Sequence, residues 1–329
     1  MTAVTAERPE AAAPAPGPRA LVRTVLLVHR SALWFWAMLV AVGAGCMLWA
    51  TGPGADAAWA EYRAMGCFSD QPSLGCDMPG LAAGRYDTVA SFGSAILGLT
   101  PFLAAAWAGG VLVGRELENG TARLAWTQSV TPARWLAAKL ALPAVLLTGG
   151  TLLLTLLHRV MWASDGRLWA TIGSRQWYQS YVFEANGTLA TAYALLGLAV
   201  GALAGLLLGR TVSALGTAVV ALAALLSALS WLRPFLWPAR TLVAEDGYPP
   251  YPGPVVDEGA VTATGARVAD PLCGDSARCL ADTGVTGYYR DYHPSAHFWP
   301  LQLVETGIVL ALTAAATLAA FRMLRRRLP

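Results

Sequence analysis

Lysine is almost missing from this chain: Lys139, in "AAKL", stands alone beside 22 arginines. A Walker A phosphate loop needs a glycine-rich turn that ends in lysine followed by serine or threonine. "AAKL" offers neither, so this polypeptide is no P-loop ATPase. Also missing are an H-E-x-x-H pair, a G-x-S-x-G elbow, a paired intramembrane aspartate and a Cys/His zinc array. Chemistry within the chain is therefore not expected, and neither a metal nor a cofactor is. Charge is scarce as well, at 13% of residues against 56% hydrophobic, where soluble domains carry roughly a quarter charged.

What the sequence does have is apolar length. A hydrocarbon core takes about 20 residues of helix, and runs of that length occur at 31–51, 88–113, 139–160, 188–208, 211–232 and 299–321. The expected fold class is an all-α integral membrane protein with six transmembrane helices. An even number of spans places both termini on one side. The N-tail, the 114–139 loop, the turn at Arg210 and the C-tail hold 13 Arg and Lys against four acids, while the longer opposite loops hold 10 Arg and 15 acids. By the positive-inside rule both termini are cytoplasmic, in a multi-pass membrane protein. The net charge of +3 averages a positive inner face with a negative outer one, and nucleic acid is not implied.

The chain then divides as follows. Residues 1–18 form an Ala/Pro-rich cytoplasmic tail, expected to be disordered, and 19–30 an interfacial helix. Residues 31–232 carry spans one to five, with a cytoplasmic loop at 114–138. A large extracytoplasmic loop fills 233–298, the sixth span 299–321, and a basic tail 322–329. A cleavable signal peptide ending at "AWA", Ala58 to Ala60, is the rival reading of the first span. That apolar run is longer than the usual h-region of about 7–15 residues, so the span is expected to stay.

Cys67 and Cys76 fall in the first outer loop, Cys273 and Cys279 in the last. Pairing within each loop suits an oxidising compartment, and free thiols are the alternative. His293 and His297 lie near the second pair, but the spacing matches no zinc pattern. The loop itself, rich in Pro, Gly and Tyr ("EDGYPPYPGPVV"), lacks a helical period. It reads as an irregular cap bracketed by the interfacial residues Trp231, Trp237 and Trp299, with "RPFLWP" a candidate for dipping back.

Within the spans, Gly197, Gly201, Gly205 and Gly209 recur every fourth residue. They drift by about 40° per step around a helix and make a ridge for close backbone approach, within the subunit or at a dimer interface. Gly209 and Arg210 then turn the fourth span into the fifth. Pro101 is expected to kink the second span. Glu305 lies within the sixth, where a buried carboxylate usually marks function; reaching the outer interface is the equal alternative.

Between the second and third spans stands "GRELENGTARLAWTQSVTPARWLAAKL". Asn119, Gly120 and Thr121 break the outgoing helix. Thr121 is a candidate N-cap for a short helix, and Thr131 with Pro132 starts the next. The product is a short helix across the inner interface, joined stiffly to two membrane helices.

Three stretches carry a resemblance: "PFLAAAWAGGVLVGRELENGTARLAWTQSVTPARWLAAKL", "AYALLGLAVGALAGLLLGRTVSALG" and "YHPSAHFWPLQLVETGIVLALT". Together they look like the permease subunit of actinobacterial ABC exporters of the type-two class. "GGVLVGRE", with glycines in place of a proline-containing turn, and the single Arg of "TPARW" depart from that pattern. The resemblance implies a permease, working as a homodimer or heterodimer and driven by a separately encoded ATP-binding subunit. It also implies that the loop after the second span couples the two. Arg115, Glu116, Glu118, Gly120, Thr121, Arg123, Trp126 and Gln128 are then the residues that form or brace that contact. The spans suit hydrophobic or amphiphilic cargo moved outward. A stand-alone secondary transporter or channel-like protein is the alternative, although neither intramembrane charge nor an inverted repeat speaks for it.

Overall fold

A computed structural model describes residues 18–67, 80–127, 130–164, 175–245, 247–250, 253–273 and 276–326. The predicted tail at 1–17, together with Cys76, Gln128 and the end of the basic tail at 327–329, lies outside them. Among the described residues, six helices are long and apolar enough to cross a membrane: Arg30–Ala64, Leu81–Glu118, Pro132–Ser164, Leu189–Leu208, Thr211–Phe235 and Ser295–Arg326. All six expected spans are found. The first three and the last exceed their apolar cores, because polar turns such as "GRYDT" and "PARW" continue the helix.

A preceding helix, α1 (Pro18–Val28), is separated from α2 (Arg30–Trp49) only by a turn at His29. A five-residue π segment, Ala50–Gly54, with Pro53 inside it, leads from α2 into α3 (Ala55–Ala64). The carboxylate of Glu61 on α3 accepts from the backbone N–H of Ala82 at 3.2 Å and Ala83 at 2.8 Å. It thereby supplies the charged cap that Gly80 cannot give α4 (Leu81–Trp107).

α4 runs through Pro101 without interruption. The irregularity comes later, at a second π segment, Ala108–Gly114, where wider turns are a known device near functional sites. Glycine explains the place. A Cβ at Gly109 would stand 3.0 Å from the Ala214 carbonyl oxygen and 3.2 Å from that of Gly201, so only a bare backbone passes here.

Next come α5 (Arg115–Glu118), α6 (Thr121–Thr127) and α7 (Pro132–Ser164). A short α8 (Ser180–Ala185) precedes α9 (Leu189–Leu208) and α10 (Thr211–Leu232). Most of α9 is buried, and it forms the axis around which α4, α7, α10 and the last span pack. The antiparallel turn to α10 forms as expected, with Gly209 at φ 62° and Arg210 extended.

The 233–298 segment corrects the reading of an irregular cap. It contains a four-stranded antiparallel sheet in the order β1-β4-β2-β3. The strands are β1 (Arg240–Ala244), β2 (Val255–Thr262), β3 (Arg267–Val268) and β4 (Val285–Tyr292). The protein is thus helical in its membrane body but not throughout. α11 (Ala277–Thr283) crosses between β3 and β4, and α12 (Phe298–Arg326) completes the bundle. "RPFLWP" makes a single 3-10 turn, Arg233–Phe235. Trp231, Trp237 and Trp299 are 83%, 39% and 44% exposed, as a belt at the membrane edge requires.

Successive spans alternate in direction. The α5–α6 loop, the α9–α10 turn and the C-terminal end of α12 therefore share one end of the bundle, and the sheet caps the other.

Candidate functional site

The loop between α4 and α7 is clamped from two sides by carboxylates two residues apart. Glu116 accepts from Lys139 Nζ at 2.5 Å and from Trp135 Nε1 at 3.2 Å. Lys139 is 4% exposed and also donates to the Leu112 carbonyl at 3.1 Å. Its charge is taken up by the π segment and α5, which fixes their distance from α7. Glu118 accepts from the Thr211 backbone N–H at 2.8 Å and its hydroxyl at 2.5 Å. It thereby caps α10 from outside and ties α5 to the fifth span.

Just past the two clamping carboxylates the chain turns at Gly120, φ 72°, a backbone that favours glycine. Thr121 does not cap α6 as expected. Its Oγ1 donates to the Glu116 carbonyl at 3.2 Å, and the Gly120 carbonyl takes the N–H groups of Arg123 at 3.1 Å and Leu124 at 3.3 Å. Glycine thus holds the cap position, and the threonine hydroxyl closes the turn behind it. Thr131 does cap α7, accepting from the Arg134 N–H at 3.4 Å, with Pro132 in the first helical position.

The eight loop residues therefore separate into groups. Glu116 and Glu118 brace, and Trp126 does too, packing edge-on against Trp135 with ring centroids 5.7 Å apart. Arg123 is exposed. With Arg210, Leu117, Trp126, Leu208 and Gly209 it lines a cleft of about 240 Å³, whose lining holds two guanidinium groups and no acid. Arg115 faces away from that cleft, toward a groove beside α1 and α2. Gln128 lies outside the described residues.

The glycine ridge is an internal contact. A Cβ at Gly197 or Gly201 would collide with the carbonyl of Pro101 or Ala105, and one at Gly205 would stand 2.8 Å from Val113 Cβ. The first three glycines seat α9 on α4. The fourth, Gly209, is not part of the ridge but its left-handed cap.

Glu305 does not reach the outer interface. It is fully buried, accepts from Arg233 Nε at 2.7 Å and Nη2 at 3.1 Å, and accepts a further hydrogen bond from the Tyr193 hydroxyl. Arg233 also reaches Glu184 at 2.9 Å and lies 4.6 Å from the Phe183 ring centroid. Burial pushes the Glu184 carboxyl above its ordinary range, and Arg233 partly offsets this. α8, α9, α10 and α12 meet at this cluster. A second buried group, His158 between Ser94 Oγ at 2.9 Å and Asn186 Oδ1 at 2.6 Å, links α7 to α4 and to the turn after α8. Sequence reading missed Lys139, Arg233 and His158 as partners. The only signal was their polarity inside or beside apolar runs.

Cys273 and Cys279 are bridged, with Cα atoms 5.5 Å apart. Cys67 is also oxidised, and its expected partner, Cys76, lies outside the described residues.

Six apolar helices closed over internal polar pairs, with a short element clamped at one end, define a multi-pass membrane protein. Residues 37–233, more than half of the chain, match the family model described as "ABC-2 membrane transporter related". The chain belongs to that family of type-2 ABC transporter permeases. No curated protein and no solved structure matches it.

Proposed function

We propose that this chain is the membrane-spanning subunit of an ABC exporter, driven by a separate ATP-binding subunit that docks on the α5–α6 element. Both termini and that element lie in the cytoplasm of a bacterial cell, and the sheet lies outside. Two permease copies complete the transporter, and the cargo is a hydrophobic or amphiphilic compound. No group in the chain itself burns ATP.

The observation that carries this reading is the double clamp. An element displaced by a partner transmits force only if it cannot slide relative to the spans it is meant to move. Glu116 to Lys139 and Glu118 to Thr211 fix α5 to the third and fifth spans. Arg123 and Arg210 remain exposed beside it, outside the ion pairs seen among the described residues. They suit an acidic groove on the partner.

Co-expression with a nucleotide-binding subunit encoded in the same bacterium tests the proposal. The two chains are expected to co-purify in detergent, and Arg123→Glu is expected to reduce the yield of complex severalfold while the permease stays monodisperse. Transport by vesicles that contain this chain alone would overturn it.

A further inference from the structure

Beside the clamped element, between α1, α2, α4 and α7, lies a cavity of about 520 Å³ walled mainly by apolar side chains such as Phe35, Trp36, Leu103, Leu142 and Leu146. It joins a cleft of about 780 Å³, more polar than the first, that reaches Asn119, Thr121 and Lys139. The two share Val25, His29, Ser31, Ala32, Trp107, Val111 and Arg115, so these residues form the neck between an oily chamber and a more polar mouth.

The chemistry of the neck is unfinished. His29 is only 7% exposed, yet among the described residues neither its Nε2 nor the Nε1 of Trp107 has a hydrogen-bond partner. The two rings meet edge to face with centroids 5.5 Å apart, which holds both in place. Buried ring nitrogens in native proteins nearly always find partners. Arg115 takes part in none of the ion pairs seen among the described residues, since its neighbour Glu116 is committed to Lys139. The charges of Glu116 and Lys139 cancel, and Arg115 leaves the mouth positive.

The chamber fits a hydrocarbon chain in direction and in length. Phe35 and Leu103, on its wall, are 50% and 39% exposed on the outer surface of the bundle, so it opens sideways toward the bilayer. From Leu103 to Arg115 the helix advances at most about 18 Å at the α-helical rise, less where the π segment Ala108–Gly114 intervenes, which is close to the half-thickness of a hydrocarbon core of about 30 Å. Polar neck and apolar chamber are thus spaced as headgroup and tail are within one leaflet.

We infer that this groove binds an anionic phospholipid of the surrounding bilayer, with one acyl chain in the chamber and the phosphate on Arg115. His29 Nε2 and Trp107 Nε1, closed off from the groove as the rings stand, turn toward it to complete the phosphate's hydrogen bonds. Arg115 carries the charge alone: burial, then the nearby Lys139, lowers the imidazole pKa, against a smaller opposing effect of Glu116, and His29 is neutral at pH 7. The site is independent of how transport is driven, because it needs only the chain and a membrane.

Photoreactive lipids test the inference on the full chain in nanodiscs, without any ATP-binding subunit. A phosphatidylglycerol probe and a phosphatidylcholine probe, each with a diazirine in one acyl chain, are crosslinked, and the labelled peptides are mapped by mass spectrometry. Peptides containing Leu103, Leu142 and Leu146 are expected to take up about tenfold more of the anionic probe, a preference equivalent to ~1.4 kcal/mol. Arg115→Gln removes that preference. Leu146→Trp, which fills the chamber and leaves every charge in place, lowers labelling by both probes. Equal labelling of the native groove by the two lipids would overturn the inference. So would a preference that survives Arg115→Gln, one abolished by millimolar inorganic phosphate alone, or crosslinking of the groove to residues 1–17 or to a second copy of the chain.

Discussion

Glu305 has no exposed surface, and Arg233 meets it with two nitrogens while Tyr193 supplies a third donor. Taking two ions out of water is expensive, and removing one partner leaves the other uncompensated, at a cost of about 3–5 kcal/mol. Arg233→Leu strands two carboxylates, Glu305 and Glu184. It is therefore expected to lower the thermal midpoint of the detergent-purified protein more than Glu305→Gln, which keeps a neutral acceptor in place. The double variant Arg233→Leu with Glu305→Leu is expected to recover most of the loss of the single Arg233→Leu. A double variant no more stable than Arg233→Leu alone would show that the guanidinium acts through Glu184 or Phe183 instead. Sequence reading picked out Glu305 from its place in an apolar run but could not supply the partner, because Arg233 lies 72 residues earlier, at the edge of a different span. Glu116 was legible as part of the loop for the same local reason. Its counter-ion, Lys139, was visible only as the one lysine of the chain, and nothing in a linear pattern says that the two touch.

Helices in this bundle are set by where a side chain is forbidden as much as by where one packs. On α9, a methyl group at Gly201 runs into the Ala105 carbonyl and stands 2.9 Å from the Ala108 side chain. Backbone cannot give way cheaply, so Gly201→Ala is expected to destabilise by about 1–3 kcal/mol. Gly216, on α10, has nothing within 4 Å of the same virtual carbon. There the helix preference of alanine acts alone, and Gly216→Ala is expected to stabilise by up to about 1 kcal/mol. Thermal unfolding of both variants in one detergent checks the contrast, and two changes of the same sign would refute it. The spacing of Gly197, Gly201 and Gly205 announced this contact, since small residues four apart have few other uses in a membrane helix. The six spans were legible because an apolar run near 20 residues is a strong signal. The sheet was not, because its strands do not alternate cleanly. In β4 the consecutive Tyr288 and Tyr289 are both buried, one of them against Tyr248 with ring centroids 4.8 Å apart, and the Pro/Gly-rich stretch before β2 masks what little period remains.

Polar clusters tie the helices together at both ends of the molecule, and a bare-backbone contact joins α9 to α4 in the middle. The sheet end is pinned by the Arg233 cluster, and the other end by Glu116 and Glu118. Between them α9 meets α4 through bare backbone along Gly197, Gly201 and Gly205, the kind of surface on which packed helices shear. Under the proposed function, a push on α6 reaches the spans through the turn at Gly120, so the conformation of that residue decides whether the push arrives. At φ 72° a branched residue is strained by about 1–2 kcal/mol, whereas asparagine is tolerated. Gly120→Val is therefore expected to cut substrate moved per ATP hydrolysed by at least about tenfold in vesicles that contain both subunits, with the nucleotide-binding subunit's own ATPase rate kept. Gly120→Asn is expected to stay within about twofold of the native ratio, because it accepts the left-handed turn. Lys139→Met acts on the same path from the other side, since it removes the ion pair that ties α5 to α7 and leaves only the Trp135 hydrogen bond to Glu116 between them. It should resemble the valine variant in coupling while the Glu118 clamp still holds. If valine and asparagine uncouple equally, the turn's geometry is irrelevant and the loop is a tether; if neither does, the force enters the membrane elsewhere.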